Sequence, residues 1–180
     1  MKTKKKSWSL ALCGMLGALT VALMLLGAAI PLLLFIAPAC GGILVMAAAE
    51  ECGRRLAATQ YAAASLLGML FVPDKEVVLV YVFLLGYYPL VKPRLDAIRK
   101  KGLRVLAKSV LYYAAIGLMY GLLYLLFPVA GMDMTAAVLA VSSLLIGHGA
   151  FLLFDRALTN LLRAYRLLWQ KRLHHMLGFL

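Results

Sequence analysis

Two pairs of carboxylates and one histidine are the side chains whose types and spacing could carry acid–base chemistry. Glu50 and Glu51 are adjacent, Asp74 and Glu76 are two residues apart, and His148 lies inside an apolar stretch. Paired carboxylates can share a proton or hold a divalent cation. An ionisable residue inside an apolar span is a functional candidate in its own right. Glu50, Glu51 and His148 together would be the basis of a lipid-modifying enzyme.

Simpler interpretations are available for these residues. Glu50 and Glu51 stand just before Arg54 and Arg55, which is typical of a solvated ion-pair cluster at a helix end. A neutral histidine can hydrogen-bond a neighbouring helix. The sequence contains no phosphate-binding glycine loop, no His-Glu-x-x-His pair and no Gly-x-Ser-x-Gly elbow. We therefore predict that the chain is not an enzyme and has no catalytic residue, metal or cofactor.

The three cysteines, Cys13, Cys40 and Cys52, show no paired spacing and fall in or beside different apolar segments. A disulfide framework or a zinc site needs cysteines at characteristic spacings. We interpret these three as small apolar packing residues.

Six apolar segments position all of these residues, and each is predicted to be a transmembrane helix. The chain of 180 residues is 64% hydrophobic and 14% charged, whereas soluble domains are about 45–50% apolar and about 25% charged. A helix needs roughly 20 apolar residues to cross a bilayer. The predicted spans cover about residues 8–28, 32–49, 56–72, 77–91, 104–127 and 135–154. The predicted fold class is all-α, a polytopic membrane protein.

Positive charges are concentrated in alternate connecting segments. Of the 19 Lys and Arg, Lys75 alone falls on the other side. Because short loops rich in Lys and Arg stay in the cytoplasm, both termini are predicted to be cytoplasmic, in a multi-pass protein of a bacterial cytoplasmic membrane. The net charge of +12 then reflects topology and attraction to anionic membrane lipid, and no nucleic-acid partner is expected. A cleaved signal peptide at the N-terminus is the alternative, disfavoured by the long apolar run.

Beyond the six-helix domain, residues 1–154, the helical pattern continues to about Met176. Residues 155–180 form a predicted cytoplasmic tail in which leucines and aromatic residues lie on one side and Arg and Lys on the other. A basic amphipathic helix of this kind suits a membrane surface or a cytoplasmic partner.

Small residues recur along the first span. Gly14, Ala18 and Ala22 follow one another at four-residue intervals, so they share a helix face that another helix can approach closely. The partner is either a neighbouring helix of this protein or a separate membrane subunit.

The six-span layout with this stripe resembles the substrate-binding S components of energy-coupling factor transporters. The Pro-Asp-Lys turn at residues 73–75 and the Gly-Tyr-Tyr-Pro-Leu-Val-Lys stretch at 86–92 are also similar to small six-span membrane proteins of Gram-positive anaerobes. The resemblance implies that Gly14, Ala18 and Ala22 dock on a transmembrane T component. It also implies that two ATPases supply the energy for uptake.

The resemblance further implies that a small, vitamin-like solute binds near the external face. The polar residues available there are Asp74, Lys75, Tyr81, Tyr120, Tyr124, Ser142 and Ser143. A polar turn that marks the membrane exit is the simpler interpretation of residues 74–76. In the second span, Pro38 and Gly41-Gly42 predict a kinked or loosened helix, of the kind that either lines a cavity or serves helix packing. The alternative function is a non-catalytic membrane scaffold acting through the basic tail.

Overall fold

A computed structural model describes residues 2–30, 33–126 and 134–177, and the side chains of residues 7–30, 33–122, 125 and 144–165. Within these residues every regular element is a helix, which confirms the all-α prediction. The helices are α1 (Lys2–Ala29), α2 (Ile36–Glu51), α3 (Arg54–Phe71), α4 (Lys75–Val80), a π-helical segment (Tyr81–Leu85), α5 (Tyr88–Asp96), α6 (Lys101–Leu126) and α7 (Met134–Leu177).

The chain divides into two compact units, Met1–Val129 and Ala130–Leu180. The second unit holds α7, a single helix of 44 residues that runs through Asp155. The predicted helical extension of the sixth span is therefore confirmed. In the described part of this extension, Arg156 and Arg163 are exposed.

Among the residues that the structure describes, three helical stretches are long and apolar enough to cross a membrane: Ser7–Ala29, Lys75–Asp96 and Lys101–Leu122. Helix α2 has 16 residues, about 24 Å at 1.5 Å per residue, short of the roughly 30 Å hydrocarbon core. Helix α3 has 18 residues and begins with Arg54-Arg55. The finding of membrane-spanning helices agrees with the prediction, while the count of six and the orientation of the termini stay predictions.

Large apolar side chains on the outside of α1, α3 and α6 indicate a lipid-facing surface. Met15, Leu66, Leu70 and Leu118 are each more than half exposed. Exposed apolar area on this scale is unusual for a water-soluble monomer. It is expected where lipid tails replace water, because the bilayer interior is as apolar as the side chains.

Helix α1 packs against α2 and α3 along one narrow face. The buried positions of that face recur every three or four residues, as in a helix–helix seam, and they are Cys13, Gly17, Thr20, Met24 and Gly27. Met24 is fully buried, and its Cε lies close to Gly68 of α3. The rest of the α1 surface is left to face away from α2 and α3.

The segment from Lys75 to Asp96 is the most buried of the three candidate membrane spans. Its π-helical part contacts α2 and α6, and α4 contacts α1, α2 and α3. The irregularity expected in the second span occurs here instead. Pro38 lies in the first turn of α2, where a missing N–H costs no intrahelical hydrogen bond, and α2 runs unbroken through Gly41-Gly42.

An ion-pair cluster joins α5 to α6. The Lys108 ammonium is 2.7 Å from one Asp96 carboxylate oxygen, and the Lys92 ammonium is 3.5 Å from the other. Both lysine side chains are 6% exposed, whereas that of Asp96 is 36% exposed. Lys92 also lies 5.8 Å from the ring centre of Tyr88. The carboxylate thus offsets the cost of burying two ammonium groups.

Candidate functional site: a buried polar cluster around Tyr81

Tyr81 is the first residue of the π-helical segment, and its side chain is fully buried. Its ring centre lies 5.7 Å from that of Tyr61 on α3, with the planes tilted by 45°. A Cβ on Gly41 of α2 would meet both the Tyr81 ring and the methyl group of Thr20 at 3.0 Å. Tyr61 of α3 and Gly41 of α2 therefore lie against this tyrosine, and Thr20 of α1 lies against the same glycine.

The π-helical segment leaves one backbone carbonyl to be satisfied by a side chain. The Gly86 N–H donates to the carbonyl of Tyr81, five residues earlier, at 2.7 Å. In a regular α-helix the same N–H would donate to the carbonyl of Val82. Instead, the Tyr61 hydroxyl donates to the Val82 carbonyl at 2.7 Å. Single-turn π-helices often occur at functional sites, and here the π turn fixes the Tyr61 hydroxyl.

Glycine at position 86 is required by the closeness of this packing. A Cβ there would lie 2.7 Å from the Tyr81 carbonyl oxygen and 2.9 Å from ring atoms of both Tyr61 and Tyr81. Real Cβ atoms do not approach neighbours this closely, so any larger residue must displace the backbone or a ring.

Four buried polar atoms near this packing lack a hydrogen-bond partner within the described residues. They are Nε2 and Oε1 of Gln60, Oγ of Ser65 and Oη of Tyr81. Gln60 is only 4% exposed. Ser65 lies about one helical turn after Tyr61 on α3. Because buried polar groups are nearly always paired, such atoms call for a bound water or ligand.

These atoms lie near the middle of a predicted span. Gln60 packs against Gly17, while Thr20 and Tyr81 both lie against Gly41. Gly17 and Thr20 are one turn apart near the centre of the apolar stretch Ser7–Ala29. The Thr20 hydroxyl itself is paired, donating to the Leu16 carbonyl at 2.8 Å. In hydrocarbon no bulk water reaches this depth, so polar groups here must be satisfied locally.

The chemistry that this cluster offers is neutral hydrogen bonding. A carboxamide, two phenols and two aliphatic hydroxyls carry no charge at neutral pH, and together they offer both donors and acceptors. Among the described residues, no three His, Cys, Asp or Glu side chains come together as a metal site would need. The cluster can bind an uncharged polar group but offers no nucleophile–base pair.

Two of the predicted site residues, Asp74 and Lys75, cap helix ends. The Asp74 carboxylate accepts a hydrogen bond from the backbone N–H of Glu76 at 2.9 Å and caps the N-terminus of α4. The Lys75 ammonium donates to the carbonyls of Met69 at 2.7 Å and Val72 at 2.9 Å, at the end of α3. Their geometry fits the polar-turn interpretation, and a role in solute binding stays a prediction.

Of the four predicted solute-binding residues whose side chains the structure describes, Tyr81 is the one that belongs to the buried cluster. Tyr120 on α6 is 47% exposed. Tyr124, Ser142 and Ser143 lie outside the residues whose side chains are described. His148 lies in α7, and its side chain is partly buried.

The predicted docking stripe lies on the outside of α1. Gly14, Ala18 and Ala22 are all exposed, and a Cβ on Gly14 would meet nothing within 4 Å. The face that packs against α2 and α3 is the different set that includes Gly17 and Thr20. Packing among the described residues of the first unit therefore does not account for the stripe.

Sequence reasoning did not assign a role to Thr20, Gln60, Tyr61 or Ser65. Gln60, Tyr61 and Ser65 were visible as polar residues in the third apolar segment, which is the signal that could have found them. A polar residue within a span normally faces the protein interior. Only the three-dimensional packing shows that Tyr61 meets Tyr81 and that Thr20 lies with Tyr81 against Gly41.

These observations define the chain as an all-helical protein with membrane-spanning helices and a buried polar cluster. No protein-family model, no curated protein and no solved structure matches the chain. Its function is therefore argued from its own residues.

Proposed function

We propose that this chain is the solute-binding membrane subunit of a bacterial uptake system and is not an enzyme. The observation that carries the proposal is the set of unpaired buried polar atoms on Gln60, Ser65 and Tyr81 at mid-span depth. Leaving a buried polar group unpaired costs about 1–3 kcal/mol. Unpaired buried polar groups of this kind are expected at a binding site, because the bound ligand supplies the missing hydrogen bonds.

The energy for uptake would come from partner subunits. A solute-binding subunit with no ATP-binding motif needs an external driver, and the resemblance to energy-coupling factor S components supplies one in a T component and paired ATPases. The exposed stripe Gly14, Ala18 and Ala22 supports this arrangement, because small residues facing outward allow a partner helix to approach closely. The solute would be small and vitamin-like, and the protein would reside in the cytoplasmic membrane.

The solute part of the proposal is tested by replacing Gln60. Gln60→Leu removes both unpaired amide atoms at similar volume, so we expect the folded protein to be as stable as wild type or more stable, and to lose its bound solute. Thr59→Val, on the exposed side of the same helix turn, is the matched control. The measurement is mass spectrometry of small molecules that co-purify in gentle detergent, together with thermal unfolding. Unchanged retention of a bound metabolite by Gln60→Leu would contradict the proposed site.

The partner part is tested on α1. We expect Ala18→Trp to fold normally and to lose co-purification of a T component and ATPases. Leu19→Trp is the control, because Leu19 is also exposed but points about 100° away around the helix. Intact capture of those partners by a folded Ala18→Trp variant would count against docking through this face.

A scaffold that acts through its C-terminal helix is the second candidate. It is favoured by the unbroken course of α7 past Asp155 and by the exposed arginines at 156 and 163. This function predicts that deleting residues 156–180 abolishes the cellular phenotype, whereas Gln60→Leu is silent. The reverse pattern supports the solute-binding proposal.

A further inference from the structure

Two cysteines meet where α1 passes the turn between α2 and α3. Cys13 is 5% exposed and belongs to the core of the first unit, and Cys52 packs against that core. The Cys52 thiol donates to the backbone carbonyl of Ser9 at 3.3 Å. Ser9 is one helical turn before Cys13, so the Cys52 thiol lies beside the turn of α1 that carries Cys13. The two cysteines are therefore neighbours in the fold, although 39 positions separate them in the sequence.

The backbone holds Cys52 in this position from both sides. Its N–H donates to the Ala48 carbonyl at 2.8 Å as α2 ends. The next residue, Gly53, has φ of +89°, and its carbonyl accepts from Ala57 at 3.1 Å as α3 begins. A positive φ is readily adopted by glycine, so the turn is tight and directs the Cys52 side chain onto α1.

The third cysteine is placed differently. Cys40 lies 12 residues before Cys52 in the same chain segment and within α2, which is about 18 Å along a helix. It therefore serves as an internal reference thiol.

We propose that Cys13 and Cys52 form a reversible intramolecular disulfide when the protein meets a hydroperoxide. The Cys52 thiolate, which is the more exposed sulfur, attacks the peroxide. A sulfur–oxygen bond forms, the oxygen–oxygen bond breaks, and hydroxide leaves and is protonated to water. The Cys13 thiol then attacks the Cys52 sulfenic acid, the sulfur–sulfur bond forms, and a second water leaves. Two thiols and one hydroperoxide give one disulfide and two waters, or water and an alcohol from an alkyl hydroperoxide.

The bond would join α1 to the turn between α2 and α3 and would be removed by a dithiol or glutathione-type reductant. If the N-terminus is cytoplasmic as predicted, the pair lies near the reducing compartment, where disulfides are usually transient and redox-sensing. This inference uses no residue of the polar cluster and does not depend on the proposed function.

The test is thiol counting on the full-length protein in membrane vesicles. The reduced protein should accept three maleimide labels under denaturing conditions, and the peroxide-treated protein should accept one, on Cys40. Digestion and mass spectrometry should find a peptide pair joined through Cys13 and Cys52 within one molecule. The oxidised form should unfold about 5 °C higher than the reduced form, as a cross-link that closes a long loop predicts.

Three variants make the result interpretable. Cys40→Ser should form the same bond as wild type. Cys13→Ser should instead accumulate a sulfenic acid on Cys52 that dimedone traps, whereas Cys52→Ser should leave the buried Cys13 untrapped. Three labels after peroxide treatment, a bond that includes Cys40, or a bond between two molecules would each overturn the proposal.

Discussion

The Tyr61 hydroxyl donates a 2.7 Å hydrogen bond to the backbone carbonyl of Val82, and this bond joins α3 to the π-helical segment. The carbonyl is one that the π turn releases from its usual helical partner. Because Tyr61 also stacks near Tyr81, one side chain supports both the irregular backbone and the candidate site.

Tyr61→Phe removes that hydroxyl and leaves the Val82 carbonyl unsatisfied. We expect the free energy of unfolding to fall by about 1–3 kcal/mol, the usual cost of an unpaired buried polar group. Chemical denaturation in detergent measures it. Tyr120→Phe on the half-exposed side chain of α6 is the control and should change stability by less than about 0.5 kcal/mol. Equal effects of the two variants would show that the hydroxyl of Tyr61 has no special role.

Gly86→Ala should be among the most damaging single-methyl additions in the first unit. The new Cβ would meet the Tyr81 carbonyl oxygen at 2.7 Å, and overpacking of this kind costs about 1–3 kcal/mol. Gly117→Ala, where a Cβ meets nothing within 4 Å, should instead stabilise α6 by about 0.5–1 kcal/mol. Melting temperatures of the two variants in the same detergent make the comparison, and a neutral Gly86→Ala would contradict the close packing.

We expect Asp74 to stabilise the turn after α3 through the hydrogen bond that its side chain accepts from the Glu76 N–H, and not through its negative charge. Asp74→Ala should cost about 1 kcal/mol, the usual value for a lost N-cap, because the Glu76 N–H loses its partner. Asp74→Asn keeps a capping oxygen and should unfold like wild type. If Asp74→Asn keeps its stability but loses solute, the charge at the predicted external rim takes part in binding. If both variants lose the same stability, the capping hydrogen bond does not account for the contribution of Asp74 to stability.

The Lys108–Asp96 ion pair should contribute more than the Lys92–Asp96 pair. The first has an N–O distance of 2.7 Å and joins α6 to α5, whereas the second has 3.5 Å and lies within α5. A double-mutant cycle with Lys108→Met and Asp96→Asn should give a coupling of about 1 kcal/mol, reduced by the partial exposure of Asp96. The same cycle with Lys92→Met should give about 0.3–0.5 kcal/mol. A larger coupling energy for the Lys92–Asp96 pair than for the Lys108–Asp96 pair would contradict this ranking.

Helix positions could be predicted well from the sequence. The fifth apolar segment, predicted at about 104–127, coincides closely with α6 at Lys101–Leu126, because a long apolar run bounded by charges has few alternatives to a helix. The predicted kink at Pro38 is absent because α2 begins only two residues earlier. Hydropathy locates the end of a helix only to within a few residues. An error of that size is enough to place a proline in the middle of a predicted helix when it lies in the first turn.

The candidate site was only partly predictable. Tyr81 was expected near the external face on the basis of its depth in the fourth segment, but its neighbours Gly41 and Tyr61 come from other helices. Nothing in a single sequence shows which faces of three helices meet. The outward position of Gly14 could not be predicted for the same reason, since small residues suit an internal seam and an external docking face equally well.

The π-helical segment also fixes how many residues this part of the chain must contain. A π turn uses one residue more than an α turn for nearly the same rise, and each residue rotates the chain by about 100°. Deleting one residue between Tyr81 and Gly86 would permit an uninterrupted α-helix. However, it would also turn Lys92 and Asp96 away from Lys108 by that angle. The length of this segment is therefore under a constraint separate from its composition, and we expect homologous chains to accept substitutions here far more readily than single-residue deletions.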